Sequence, residues 1–376
     1  MTTLDQTTPA VPAAAHASPL ARIRADVRAM HAYAVQPAQG LLKLDAMENP
    51  HRLPEDLQAR LGQRLGQVAV NRYPGAQLAQ LREALLRHAG PPAGWSLMLG
   101  NGSDELISLL VLACGLPGAS VLAPEPGFVM YAMSARLQGL GYHGVPLRAD
   151  FSLDEAALLR AIERERPALL FLAYPNNPTG TLWDTAAIAR AIAAQGAHGG
   201  LVVMDEAYQP FAACSWIERV RERPEAHRHV LVLRTLSKFG LAGIRLGYLM
   251  GDAALIAEID KVRPPYNVSV LNAECALFAL EHEAVFAAQA QDIRAQRARL
   301  IEALAQMPGV QAYPSEANMI LVRVPDAARA FEGMRSKGVL VKNVSTMHPL
   351  LANCLRLTVG TAEENTAMLQ SLSASI

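Results

Sequence analysis

The sequence predicts an α/β protein: a mostly parallel sheet sandwiched by helices in a large domain, followed by a smaller α+β domain. Three observations lead there. From about residue 97, short apolar runs alternate with amphipathic helical stretches, the pattern of a parallel sheet covered by helices. The runs are near-continuously apolar, as strands buried on both faces must be. After Pro264-Pro265 the alternation gives way to a long helical stretch and then short strands and helices in turn.

In chain order, the segment Met1–Pro19 is rich in Thr, Ala and Pro. It lacks a basic start followed by an apolar core, so it reads as a disordered arm and not as a secretory signal. Strands are expected at Ser120–Ala123, Ala168–Ala173, Gly200–Met204, Val230–Arg234 and Leu246–Met250, with helices at Asp104–Cys114, Leu153–Arg164 and Thr185–Ala194 between them. A helical stretch runs from about Asn272 to Met307. Then come a strand (Met319–Val324), a helix (Asp326–Lys337), strands at Val339–Lys342 and Leu355–Val359, and a last helix (Ala362–Leu372). The expected organisation is an arm at 1–20, a segment at 21–45 packing on the small domain, a large domain at 46–265 and a small domain at 266–376.

A chain of 376 residues that is 51% apolar and 18% charged can bury two cores. Formal net charge is zero, which argues against nucleic acid as a partner. The four cysteines, Cys114, Cys214, Cys275 and Cys354, form no CxxC pair, so no disulfide framework is expected and a reducing cytoplasm suits the chain. The ten histidines show no ligand spacing, so no metal site is expected, and no apolar run approaches the length of a membrane span.

In an open α/β sheet, ligands bind beyond the carboxyl ends of the strands, so the residues leaving each strand matter most. Ser120–Ala123 exits into Pro-Glu-Pro-Gly-Phe128, and Ala168–Ala173 into Tyr-Pro-Asn-Asn177-Pro-Thr-Gly. Gly200–Met204 exits into Asp205-Glu-Ala-Tyr208, and Val230–Arg234 into Thr-Leu-Ser237-Lys238. Singly, each has a plain reading: the Pro-Asn-Asn-Pro run is good turn sequence, Asp205 could cap a helix, and a lysine after a strand is usually solvated. Together they deliver an aromatic ring, an amide, a carboxylate, a phenol and an amine to one edge. Upstream, Gly100-Asn-Gly102-Ser103-Asp104 runs straight into an apolar helix, a sequence that either binds a phosphate on free backbone amides or is simply capped by Ser103 or Asp104.

These motifs, with Gly243-Ile-Arg245-Leu-Gly-Tyr248 after the lysine, resemble the fold-type-I pyridoxal-phosphate (PLP) aminotransferases. Within them the chain is most similar to the histidinol-phosphate aminotransferases, from about Leu42 to the C-terminus. Asn71-Arg-Tyr73-Pro, Glu48-Asn49-Pro50 and Cys354-Leu-Arg356-Leu-Thr-Val-Gly-Thr add to the likeness. The resemblance implies that Lys238 forms a Schiff base with PLP and, once displaced, shuttles the proton as acid and base. It implies that Asp205 pairs with the pyridine nitrogen, that Tyr208 and Asn177 bond the phenolic oxygen, and that Phe128 stacks on the ring. Ser103, Asp104, Ser237 and Arg245 then hold the phosphate, joined by Tyr73 of a partner subunit in a homodimer with shared sites. Arg356 clamps the substrate anion, with Lys342, Asn49 and Tyr33 nearby. Tyr73 as plain packing and Arg356 as an outward surface residue are the alternatives.

The expected reaction is L-histidinol phosphate plus 2-oxoglutarate to imidazole acetol phosphate and glutamate. Departures from the family pattern bear on that substrate. Met47 stands where many relatives have Asn, His51-Arg52 follow Pro50, and Lys342 offers a point charge where Arg is common. An aromatic aminotransferase and a decarboxylase of phosphorylated amino acids are the rival activities on this fold. A DNA-binding regulator would carry a helix-turn-helix ahead of the fold, and the 40 or so residues before the matching region are rich in Pro and Ala, without a basic stripe.

Overall fold

The computed structural model describes residues 18–30 and 36–376. The described residues before Ala38 form a unit of their own, with a 3-10 turn at Pro19–Arg22 and one helical turn at Ala25–Arg28. From Ala38 onward the strands are β1 (Leu42–Lys43), β2 (Trp95–Gly100), β3 (Ser120–Glu125), β4 (Gly141–Pro146), β5 (Leu169–Ala173), β6 (Leu201–Asp205), β7 (Val230–Thr235) and β8 (Gly247–Asp252). Shorter strands follow: β9 (Gln311–Ala312), β10 (Met319–Arg323), β11 (Val339–Leu340), β12 (Lys342–Asn343) and β13 (Cys354–Thr358).

Strands β2 to β8 make one seven-stranded sheet in the order β2-β8-β7-β6-β5-β3-β4. Only β8 runs against its neighbours, so the expected mostly parallel sheet is present. Period-two alternation splits its side chains between two cores. Leu97, Leu122, Leu170, Val202 and Val232 face one, packed with Leu81, Leu85, Leu158, Ile162, Ile188 and Ile192. Met98, Val121, Phe171, Val203 and Leu231 face the other, packed with Leu106, Leu110, Tyr131, Ala135 and Ile256. Helices thus cover both faces, and each Leu or Phe so buried contributes about 1.5–3 kcal/mol.

The covering helices begin where the sequence supplies caps. Asp154 and Asp184 accept from the backbone of Ala157 and Ala187, which starts Glu155–Glu165 and Thr185–Ala197. Thr361 and Glu364 form a capping box at the head of Ala362–Ser373. That last helix packs with Glu283–Ala305 and Ala327–Ser336 around a third core, which includes Ile320, Val322, Leu355 and Leu357 of the four-stranded sheet β12-β13-β10-β9.

Two expectations about elements are corrected. The stretch from Asn272 to Met307 is two helices, Val270–Glu281 and Glu283–Ala305, broken at His282. His282 leaves helical geometry with its ring nitrogen 2.8 Å from the Phe278 carbonyl, and neither Gly nor Pro announces the break. The single strand expected at Val339–Lys342 is divided at Val341: β11 pairs in parallel with β1, while β12 pairs antiparallel with β13. Strand β4 was not foreseen, because Gly141, His143, Gly144 and Pro146 give it no apolar alternation. It lies at the sheet edge, where Gly and Pro are tolerated.

Candidate active site

The sheet order brings the singled-out residues to one edge. Parallel strands β3, β5, β6 and β7 all end there, and β8, running the other way, starts there. Gly247 at the start of β8 is in register with Thr235 at the end of β7 on one side and with Gly100 at the end of β2 on the other. The segments Gly100–Asp104, Ser237–Lys238 and Arg245 therefore meet by construction. They enclose a cavity of about 330 Å³. Nine of the expected residues line it: Ser103, Asp104, Phe128, Asn177, Asp205, Tyr208, Ser237, Lys238 and Arg245.

Lys238 is held deep in this cleft. Its Nζ donates to the Ala46 carbonyl at 3.0 Å and lies 5.9 Å from the centre of the Tyr208 ring. Burial pushes its pKa down to about 8, and the positive charges of Arg356 and Arg245 act in the same direction. An amine so placed loses its proton at a lower pH than an ordinary lysine and can then attack a carbonyl carbon.

One wall is built as an anion cup. The helix Ser103–Ala113 opens on Gly102, whose φ of 86° is a conformation that favours glycine. No side chain caps this helix start, so the capping alternative for Ser103 and Asp104 does not hold. Gly247 passes so close that a Cβ there would sit 2.8 Å from Ser103 N. The Arg245 guanidinium spans the cup, with one nitrogen 3.4 Å from Ser237 Oγ and another 3.5 Å from Asp104 Oδ2. Helix-start amides, a hydroxyl and a guanidinium make a site for a phosphate dianion.

The opposite wall carries the acid and the phenols. Asp205 is 4% exposed, and burial raises its carboxyl to about 6. Its Oδ1 accepts from Ala207 N at 3.0 Å and its Oδ2 from Tyr131 OH at 2.6 Å. Asn177 donates to Tyr208 OH at 3.0 Å and accepts from Arg356 at 2.8 Å. Arg356 also donates to the Asp45 carbonyl at 2.9 Å. It is therefore a buried, engaged side chain and not an outward surface arginine.

The other expected residues are placed less directly. Lys342 stands opposite Arg356 in the β12–β13 pair, so the two cations share one face of that sheet. Asn49 bonds Gln289 at 2.9 Å and does not line the cavity. Tyr73 is 77% exposed, stacks on Tyr266 at 4.4 Å and is not among the lining residues. Tyr33 falls outside the described residues. Sequence reasoning missed Tyr131, which lines the cavity three residues beyond Phe128. The i,i+3 spacing, which puts two aromatics on one helix face, was the available signal. It also missed Ala46 and Met47 as lining residues. Met47 takes a left-handed φ of 51°, pinned by Thr358 and Asn318 from the strand region around Arg356.

The chain is similar to known proteins throughout. The family model for aminotransferase class I and II matches residues 39–372. A histidinol-phosphate aminotransferase of Acidovorax sp. (strain JS42) is 68% identical over 358 residues, covering 95% of this chain and 97% of the relative. The crystal structure of the histidinol-phosphate aminotransferase from Clostridium acetobutylicum has the same fold, with a TM-score of 0.80 at 19% identity over 89% of this chain and 98% of that one. The Sinorhizobium meliloti histidinol-phosphate aminotransferase in complex with pyridoxal-5'-phosphate gives 0.75 at 23% identity over 96% and 98%. This chain belongs to the class I and II aminotransferase family.

Proposed function

We propose that the chain transfers the amino group of L-histidinol phosphate to 2-oxoglutarate, using pyridoxal 5'-phosphate, as a step in making histidine. The observation that carries the reading is a buried, readily deprotonated Lys238 between an anion cup and a buried carboxylate. The 68% identity with a histidinol-phosphate aminotransferase supports the choice of substrate. When bound, the cofactor supplies an electrophilic aldehyde carbon and a ring that withdraws electrons from the carbon bearing the amine. Lys238 would hold the aldehyde carbon covalently and, once free, its Nζ would accept and return the proton as base and acid. Asp205 would keep the ring nitrogen protonated, Asn177 and Tyr208 would bond the phenolic oxygen, and Phe128 would pack on the ring. Ser103, Asp104, Ser237 and Arg245 would hold the phosphate.

Arg356 takes the anion of either substrate, the carboxylate of glutamate or the phosphate ester of histidinol phosphate. Hydrogen bonds to charged groups are worth about 1.5–3 kcal/mol, so Arg356→Ala is expected to slow both half-reactions by roughly 10- to 150-fold or more. Lys342→Ala is expected to hurt the phosphate substrate more than glutamate, because the dianion has more charge to neutralise. Single-turnover rates with each donor check both. An Arg356→Ala loss confined to one donor would remove Arg356 from its shared role.

We place the enzyme in the cytoplasm as a homodimer in which Tyr73 of each subunit reaches its partner's phosphate. The outward Tyr73–Tyr266 aromatic pair supports this, since such a pair suits an interface. Mixing Lys238→Ala and Tyr73→Phe protomers is expected to restore activity, because one heterodimer site then carries neither lesion. Recovery no greater than the Tyr73→Phe homodimer provides would count against the shared site. We take 46–265 as the large domain and 266–376 as the smaller one.

A further inference from the structure

We propose that Tyr131 is a positioning residue that fixes both groups facing the cofactor ring, the Asp205 carboxylate by hydrogen bonding and the Phe128 ring by packing. The inference rests on the cofactor reading above. Tyr131 lies on the helix Val129–Gln138 and is 1% exposed. Its ring stacks on Phe171 of β5 at 4.5 Å and meets the Phe128 ring edge-on at 5.7 Å. Its hydroxyl donates to Asp205 Oδ2 at 2.6 Å, the distance of a charge-assisted O–H···O⁻ bond. Phe171 and Asp205 sit on neighbouring strands, β5 and β6, so the phenol is held by the same sheet that carries the acid. With Oδ1 bonded to Ala207 N, the carboxylate is fixed in rotation about its Cβ–Cγ bond.

The bond also bears on charge. Burial disfavours the ionised form of Asp205, and the negative charges of Asp104 and Glu206 act in the same sense. Tyr131 and the Ala207 amide favour ionisation. Tyr208, the other titratable group beside Asp205, has its phenol pushed upward by burial and so stays neutral. Tyr131 stays neutral for the same reason, with its own proton committed to Asp205. It therefore donates throughout the working range and holds Asp205 as an anion where burial alone would favour the neutral acid.

The test is Tyr131→Phe, which keeps the stacked ring and removes only the hydroxyl. In the cofactor-free protein, carboxyl-labelled aspartate followed by NMR should show the Asp205 midpoint rising by about 1–2 pH units, the size of one lost hydrogen bond to a charge. This arm reads the Tyr131–Asp205 coupling whether or not pyridoxal phosphate is the cofactor. In the loaded enzyme, ¹⁵N-labelled cofactor should show the shared proton shifting from the ring nitrogen toward the more basic carboxylate relative to the parent. The turnover rate should fall roughly 10- to 100-fold with little change in KM. Combined with Asp205→Asn, the Tyr131→Phe loss should nearly vanish, since the hydroxyl acts through the carboxylate. An unchanged Asp205 midpoint, or an equal loss in the Asp205→Asn background, overturns the proposal. A shifted midpoint with no response of the ring nitrogen would keep the coupling and sink the cofactor reading instead.

Discussion

Lys238→Ala protein is expected to bind pyridoxal phosphate without a covalent bond and to transaminate at a rate close to background. Loss of Nζ as acid and base alone costs on the order of 10²–10⁴ in rate, and loss of covalent attachment adds to it. The chain has five lysines, Lys43, Lys238, Lys261, Lys337 and Lys342, so the site of attachment is easily read. Borohydride treatment of the loaded parent followed by peptide mass mapping should place the label on Lys238, and on no lysine in the variant. A label on another lysine would refute the assignment. The depressed pKa adds a pH signature. Below about 8 the amine carries a proton and cannot attack, so covalent capture by the cofactor-free protein should speed up as pH rises through about 8 and then level off. A rise continuing toward the ordinary lysine value of about 10.4 would show that burial has not shifted Nζ.

Asp205→Asn should retain the cofactor, because the cup of Ser103, Asp104, Ser237 and Arg245 lies elsewhere on the cavity wall. It should lose most of its rate. An amide cannot hold a proton on the ring nitrogen, and removing one such electrostatic partner costs on the order of 10²–10³-fold. Equilibrium binding together with single-turnover rates separates the two effects, and an unchanged rate would take Asp205 out of the chemistry. Tyr131 sharpens the expectation: in the variant its hydroxyl meets an amide in place of a carboxylate and no longer stabilises a charge.

Much of this was legible in the sequence, for reasons that differ by element. The parallel strands showed because burial on both faces makes β5 wholly apolar and β6 and β7 apolar up to their ends, and their exits could then be aligned without knowing the sheet order. Six of the lining residues, Phe128, Asn177, Asp205, Tyr208, Ser237 and Lys238, followed from that rule; Ser103 and Asp104 came from the Gly-rich run before a helix, and Arg245 from the resemblance. Chain-local signals failed where the decisive contact is distant. The break at His282 has no Gly or Pro to mark it. The division at Val341 depends on β1, about 300 residues earlier, offering a second pairing partner. Tyr131 went unnoticed because its partner, Asp205, lies far along the chain on β6 and its spacing from Phe128 reads equally well as core. Arg356 illustrates the converse. On sequence it could have faced solvent, and its bonds to Asn177 and Asp45, 179 and 311 residues away, decide otherwise.

Amino transfer from histidinol phosphate is read out by the single-turnover rate of amine transfer to the enzyme-bound cofactor, followed by absorbance with histidinol phosphate, glutamate, phenylalanine and tyrosine as donors. The cations at Arg356 and Lys342 predict that histidinol phosphate has the highest specificity constant of the three ring-bearing donors, with glutamate also reacting and no carbon dioxide released. A specificity constant for phenylalanine or tyrosine above that for histidinol phosphate would contradict the account and make the enzyme an aromatic aminotransferase.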